Sequence, residues 1–330
     1  MYDVSMKRPQ KWLITGGAGY LGAHIADLLL SRGIEIVILD SLNSGLPSRI
    51  EYLSQKYKVE IPFIKADIRD HDEFQYTLEK HEPQGIMHTA ALKAVGESIQ
   101  KPDLYLEVNL HATIGILDTI KAFGIQNFVF SSTAAVYGSP NHSVPVREDD
   151  ETIPISPYGI SKLEAEAEVS KFLAEPGNCG TSLRFFNIVG TESPELTDNS
   201  TENLVPIVIN MLKKNQPPII YGADYPTTDG TCVRDYVDVR DVARAHLLAA
   251  NSEIPLPFVL NVGTGAGRSV REVIDLVSAA SGHKNVAIKE GARREGDSAS
   301  LCADASKIRE VLDFECDYTL EESIKSLFRN

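Results

Sequence analysis

The chain has 330 residues, 43% of them apolar, enough to bury the core of one large domain or two coupled ones. Forty-six acidic against 32 basic residues leave a formal charge of -14, which repels nucleic-acid phosphates and anionic lipid at long range, so neither is an expected partner. Met1 to Gln10 holds no apolar signal region and no segment reaches the roughly 20 apolar residues of a membrane span, which predicts a cytoplasmic protein. Cys179, Cys232, Cys302 and Cys316 lie far apart, and neither they nor the eight histidines show metal-ligand spacing, so no metal site is expected.

Trp12 to Thr15 reads as a short buried strand that opens into Gly16-Gly17-Ala18-Gly19-Tyr20-Leu21-Gly22. Leu21, Ile25, Leu28 and Leu29 then recur at helical spacing up to Gly33, and Glu35 to Leu39 forms a second strand that ends in Asp40. Each part of this βαβ unit has a physical use. Glycines let the backbone approach a pyrophosphate, the helix start offers unpaired N–H groups, and Asp40 can bind a ribose 2′-hydroxyl. Its charge repels a 2′-phosphate, which favours NAD over NADP.

Strands then alternate with helices. Ile61 to Ala66 runs to Asp67-Ile68, Gly85 to Ala90 precedes a long helical stretch from Lys101 to Phe123, and Asn127 to Ser131 and Thr181 to Phe186 are further strands. The pattern predicts an α/β fold, a doubly wound parallel sheet of the Rossmann type, with ligand groups at the carboxyl ends of strands. Asp67, Ala90, Ala91, Lys93 and Ser131 to Thr133 lie at such ends.

Between the last two strands stands Ser156-Pro157-Tyr158-Gly159-Ile160-Ser161-Lys162. Pro157 sets the backbone angle of a helix start, so Tyr158 and Lys162 fall one turn apart on one face. Bringing a phenol from about 10 to about 7 needs about 4 kcal/mol. One cation at about 4–5 Å in an effective dielectric of about 20 supplies roughly that much. The lysine can thus make the tyrosine a base near neutral pH. Tyr52 with Lys56 and Tyr76 with Lys80 share the spacing with no chemistry around them, so spacing alone does not decide.

After Asn187 the alternation gives way to segments rich in Pro, Thr, Asn and Gly. Arg234 to Val239 reads as a strand, Asp241 to Ala250 as a helix, and Phe258 to Val262 as a strand able to return to the first sheet. Ser269 to Ser281 and Ala305 to Phe328 are helical by period. The expected division is a dinucleotide-binding domain of residues 1–186 with 233–263, and a smaller, discontinuous α+β substrate domain of residues 187–232 with 264–330.

Seven stretches carry a family resemblance: Thr15-Gly-Gly-Ala-Gly-Tyr-Leu-Gly22, Leu92-Lys-Ala-Val-Gly-Glu-Ser98, Ser131-Ser-Thr-Ala-Ala-Val-Tyr137, Tyr158-Gly-Ile-Ser-Lys162, Phe185-Phe-Asn187, Asp229-Gly-Thr-Cys-Val-Arg-Asp-Tyr236 and Arg293-Arg-Glu-Gly-Asp297. Over essentially its whole length the chain resembles the UDP-glucose 4-epimerases among the extended short-chain dehydrogenases/reductases. The resemblance implies bound NAD, with Gly16, Gly19, Tyr20, Leu21 and Gly22 around the pyrophosphate and Asp40, Asn43 and Ser44 at the adenosine ribose. It implies Asp67 and Ile68 near adenine, Ala90, Ala91, Lys93, Asn109, Ser131, Tyr158 and Lys162 along the remaining cofactor, and Phe186 at the nicotinamide. For a UDP-sugar it implies Asn187, Asn203, Leu204, Tyr221, Arg234, Arg294 and Asp297, with Lys93, Thr133 and Leu301 at the sugar. It also implies a homodimer packed through the helices at Lys101 to Phe123 and Pro157 to Leu173.

The implied chemistry takes a proton from the sugar 4′-hydroxyl through Tyr158 while hydride passes to NAD, with Thr133 on the reacting oxygen and Lys162 beside the tyrosine. The 4-ketose then turns over and takes the hydride back on its other face. Related dehydratases carry an acidic pair where this chain has Ala134-Ala135, so elimination is not expected. Three positions depart from the family: Thr133 stands for a serine, Ala135 for a threonine, and Leu301 for the tyrosine that restricts the pocket to glucose and galactose. UDP-glucose and UDP-galactose are the first expectation, and N-acetylated UDP-hexoses the alternative, because leucine is intermediate in size. A regulatory NAD-binding protein without catalysis is a further reading, against which Thr133, Tyr158 and Lys162 all argue.

Overall fold

The computed structural model describes residues 10–140, 145–284, 286–294 and 297–329. Met1 to Pro9, and Glu295 and Gly296 of the Arg293 to Asp297 stretch, lie outside these residues. In β1 (Lys11–Thr15), Trp12 and Ile14 pack into one core and Leu13 into another, as the two-residue period of a strand buried on both faces requires. The chain continues through α1 (Tyr20–Ser31), β2 (Glu35–Leu39), α2 (Pro47–Tyr57), β3 (Phe63–Ile64), α3 (His71–His81) and β4 (Gly85–His88). Then follow α4 (Val95–Gln100), α5 (Pro102–Leu106), α6 (Ala112–Ala122), β5 (Asn127–Thr133), α7 (Pro157–Leu173) and β6 (Cys179–Phe185).

The second half holds β7 (Asn187–Val189), α8 (Leu204–Lys213), β8 (Ile219–Tyr221), β9 (Val233–Asp238), α9 (Val239–Ala250), β10 (Val259–Val262) and β11 (Gly267–Ser269). It closes with α10 (Val270–Ala280), β12 (Lys289–Gly291), β13 (Ser300–Leu301), α11 (Ser306–Leu312) and α12 (Leu320–Ser326). Seven strands form one sheet in the order β10-β6-β5-β4-β1-β2-β3, every pairing parallel. After β3 the chain crosses β1 to start β4, so the carboxyl ends of β1 and β4 flank the point where the strand order reverses. That is where an open α/β sheet leaves a crevice. Residues of α1, α2 and α9 fill the core on one face, and those of α3, α6 and α7 the core on the other.

Four elements differ from the sequence reading. The strand read over Ile61 to Ala66 is only Phe63–Ile64, an edge strand beside Pro62, which has no N–H to donate. The helix read from Lys101 to Phe123 passes through a π turn at Glu107–His111. Val233–Asp238, assigned to the first domain, joins β7, β11 and β13 in a separate four-stranded sheet. An apolar run reports burial and carries no record of its partners. The helix read over Ala305 to Phe328 breaks at Asp313, where φ is +50°, and restarts under a Thr319–Glu322 capping box. The strand read at Phe258 to Val262 does return to the first sheet, beside β6.

Candidate active site

A cleft of about 450 Å³ opens at the carboxyl ends of β1 and β4, with Asp40 and Asp67 toward one end and Tyr158, Lys162 and Phe185 toward the other. Gly16, at φ +74°, turns the chain off β1; a Cβ there would lie 2.7 Å from the Ala90 nitrogen. A Cβ on Gly22 would lie 2.2 Å from the Gly16 carbonyl oxygen, so α1 rests directly on the turn. Gly22→Ala is expected to cost about 1–3 kcal/mol by overpacking, read as a lower denaturant midpoint; an unchanged midpoint would contradict this close approach.

Gly19 is the N-cap of α1 and supplies no side-chain cap, which leaves first-turn N–H groups for an anion. Asp40 accepts from Ala18 N at 3.0 Å and Leu42 N at 2.7 Å. Burial pushes its carboxyl up and these N–H groups pull it back. Asp67 is held low by the Arg69 guanidinium, which grips it with Nε at 3.0 Å and Nη2 at 2.8 Å. A close-packed glycine turn, an uncapped helix start and a carboxylate at the next strand end fit the diphosphate and ribose of a dinucleotide.

At the other end, Ser156 Oγ accepts from Gly159 N at 3.1 Å and Pro157 begins α7, so Tyr158 and Lys162 share a face as expected. The Thr133 hydroxyl accepts from Ala135 N at 3.1 Å and acts on the Tyr158 phenol to draw its pKa down. Lys162 is 3% exposed, and its Nζ lies 4.0 Å from the Phe130 ring centroid. One turn on, Glu166 is buried with Arg184, Oε2 to Nη2 2.7 Å, and also accepts from the Ser132 hydroxyl. Burial pushes Lys162 down to about 7, opposed by Glu166. Burial also pushes Tyr158 above its ordinary value, opposed by the Thr133 hydroxyl. The Lys162 amine lies over the Phe130 ring, and burial is the leading influence on the Tyr158 phenol. The two decoys are ring-over-cation pairs: Lys56 is 5.7 Å from Tyr52 and Lys80 5.4 Å from Tyr76, whose side chain is exposed.

A family model described as GDP-mannose 4,6 dehydratase matches residues 13–327. The UDP-glucose 4-epimerase of Corynebacterium glutamicum is 35% identical over 94% of this chain and 92% of its own. A Bifidobacterium longum UDP-glucose 4-epimerase, solved with NAD+ and UDP, superposes with a TM-score of 0.90 at 34% identity over 96% of each chain. The UDP-Glc/GlcNAc 4-epimerase of Campylobacter jejuni superposes with a TM-score of 0.82 at 35% identity, covering 96% of this chain and 98% of its own. This chain belongs to the UDP-glucose 4-epimerase family.

Most cofactor positions that epimerase membership implies line the cleft: Gly16, Gly19, Tyr20, Leu21, Gly22, Asp40, Asn43, Ser44, Asp67, Ile68, Ala90, Ala91, Lys93, Ser131, Tyr158 and Lys162. Two are placed differently. Asn109 is 1% exposed and stands behind the wall, with Nδ2 donating to Leu92 O at 2.9 Å and to Ser161 Oγ at 3.0 Å, and Oδ1 accepting from Leu92 N. Phe186 stacks on Tyr137 in a cluster with Ala134 and Leu301, while Phe185 reaches the cleft. Thr133 pairs with Phe185 across β5 and β6, a register that the sequence of either strand does not state.

Apart from Lys93 and Thr133, the epimerase substrate positions fall on the second half of the chain. The Arg294 guanidinium lies 4.2 Å from the Tyr221 ring centroid, and Arg234 Nη2 lies 3.4 Å from Asp297 Oδ1. Leu301 is paired with Arg234 across β13 and β9 and packs in the Ala134 cluster, next to Thr133. Asn187 opens β7, Asn203 is the N-cap of α8 with Nδ2 donating to Asp198 Oδ2 at 2.6 Å, and Leu204 is its first helical residue. Sequence reasoning passed over Arg49, Arg69 and Phe185. Arg69 was within reach of it, two residues beyond Asp67 at a strand end.

Proposed function

We propose that this chain interconverts the C4 epimers of a UDP-hexose, with UDP-glucose and UDP-galactose as the preferred pair, using NAD held in the cleft. The observation that carries the reading is the Thr133, Tyr158 and Lys162 group at one end of a dinucleotide cleft, in a chain of the epimerase family. The glycine turn and Asp40 would hold the pyrophosphate and adenosine ribose of NAD, and Lys162 the ribose beside the reacting end. When bound, NAD supplies a reversible hydride acceptor, and its cationic ring adds positive charge that favours a tyrosinate.

The protein's own part is proton handling and anchoring. Tyr158 takes the 4′-hydroxyl proton and returns it, a positioned acid–base step that contributes about 10²–10⁴ in rate. Thr133, whose oxygen already accepts from Ala135 N, has its hydroxyl proton left to hold the reacting oxygen. Arg234 and Arg294 supply the local positive charge that a diphosphate needs in a chain of net charge -14. The sugar end meets Ala134, Phe186 and Leu301, apolar walls that let a 4-ketose turn over while the diphosphate stays fixed. Elimination would need a further acid and base near C5 and C6, and positions 134 and 135 are both alanine.

Leu301 favours a second reading, in which N-acetylated UDP-hexoses are also turned over. Purified protein incubated separately with UDP-galactose and UDP-N-acetylgalactosamine tests both. A larger kcat/KM for UDP-galactose is expected; a larger value for the acetylated sugar reverses the order, and turnover of neither ends the proposal.

We also propose a homodimer. Val95, Ile99, Ile153, Ile155 and Ile160, on α4 and around the start of α7, are 39–55% exposed, an apolar surface suited to a second copy of the same helices. Light scattering should give twice the chain mass, falling to one chain mass in Ile160→Glu; a monomeric wild type would remove the proposal. Among the described residues, no helix is long and apolar enough to cross a membrane and no group of side chains suits a metal ion.

A further inference from the structure

We propose that Arg49 is a positioning residue that couples the cofactor turn to the segment leading into the nucleotide-sugar contacts, so that UDP affinity depends on a residue outside the UDP site. The inference rests on the function proposed above. Arg49, on α2, is 0% exposed. Its Nη1 donates to the Ala18 carbonyl in the glycine turn at 3.1 Å, and its Nη2 to the Thr197 carbonyl at 2.7 Å and Asn199 Oδ1 at 3.4 Å. Ala18 is the residue whose N–H holds Asp40. Beyond Thr197, Asp198 receives the Asn203 amide at the start of α8. One planar fork thus joins the turn to the approach of Asn203 and Leu204.

Two more contacts from the start of α1 run to the same segment. Tyr20 Oη donates to the Gly190 carbonyl at 2.5 Å. His24 Nδ1 donates to the Tyr20 carbonyl at 2.8 Å, which leaves Nε2 to accept from Glu192 N at 3.1 Å. Burial takes His24 down to about 4, so this link does not titrate near neutral pH. Residues 190–199 are thereby held from three points on the two helices that frame the glycine turn.

Arg49 is a poor stabiliser for its burial. Among the described residues no carboxylate lies within ion-pair distance, its partners are two carbonyls and an amide oxygen, and its buried Nε has no partner. A desolvated guanidinium with an unmet donor costs free energy that such contacts return only in part. What it supplies is geometry: the turn at Ala18 and the segment at Thr197, far apart in sequence, are fixed through one rigid group. A ligand that settles on the turn then biases the loop, and by linkage a ligand on the loop biases the turn equally.

The test is calorimetric titration of UDP into protein kept saturated with NAD, comparing wild type, Arg49→Met and Lys56→Met. Lys56 is on the same helix and pairs with Asp27 at 2.6 Å, so its loss softens α2 without touching residues 190–199. Arg49→Met is expected to weaken UDP binding about tenfold and Lys56→Met less than twofold. No loss in Arg49→Met, or an equal loss in both, overturns the coupling while leaving the proposed function intact. A wild type that binds no UDP overturns the function and the coupling with it. If Arg49→Met does not fold, Tyr20→Phe, which removes one hydroxyl, should weaken UDP about threefold; unchanged affinity there overturns the proposal.

Discussion

Tyr158→Phe is expected to lower kcat for UDP-galactose by about 10²–10⁴-fold while moving KM less than about threefold. The change removes one oxygen and keeps the ring, which lies edge-on to Tyr105 with centroids 6.4 Å apart, so the helix start and the packing remain. What is lost is a proton acceptor needed only as the C4–H bond breaks, and such a loss falls on kcat. A variant with more than about a tenth of wild-type kcat would remove Tyr158 from the reaction. Rate should also rise with pH through about 7 and then level. Lys162, drawn down to about 7 by burial, is the first of the pair to lose a proton, while Tyr158 stays above its ordinary value. Below about 7 both groups are protonated. Above it the pair holds one proton, and moving that proton from phenol to amine gives the competent tyrosinate and ammonium with no further change in net charge. A profile flat from pH 5.5 to 8 would contradict this account.

What the sequence shows and what it conceals divide along a physical line. The run from Trp12 to Asp40 is legible because each step is local: an apolar strand, glycines where a Cβ would meet Gly16 O or Ala90 N, then a carboxylate at the next strand end. Ser156-Pro157 is legible for the same reason, since a cap and a fixed φ angle place Tyr158 and Lys162 without reference to the rest of the chain. Arg49 is hidden, because a lone basic residue on a helix reads as solvated, and its partners Ala18 and Thr197 are set by the tertiary fold. Phe185 and Phe186 are adjacent and alike, and only the pairing of β6 with β5 decides which one faces the cleft. Family motifs identify Lys162 and Tyr158, but the balance of burial against charge depends also on Phe130, which no spacing rule links to them, and on Glu166, one turn beyond Lys162 and tied up by Arg184 from another strand.

Lys162→Met should abolish turnover and at the same time make the protein more stable at pH 7, by about 2–4 kcal/mol. Lys162 is 3% exposed, and burial takes its amine from 10.5 to about 7. At about 1.36 kcal/mol per pH unit, holding this amine in the fold costs on the order of 4 kcal/mol near neutral pH. Methionine keeps an unbranched stem of similar length, makes favourable contact with the Phe130 ring and carries no charge to desolvate. The sign of the pH dependence follows from linkage. Between about 7 and about 10 the unfolded chain keeps the lysine proton that the folded chain has lost, so wild-type stability rises with pH across that window. The advantage of Lys162→Met is therefore full at or below about pH 7 and shrinks as pH approaches 10, while the other titrating groups cancel between the two proteins. Denaturant midpoints of both proteins at pH 6.5, 8 and 9.5 measure it. A variant less stable than wild type at pH 6.5, or an advantage that grows with pH, would show that Lys162 is held at this site for stability and not for its chemistry.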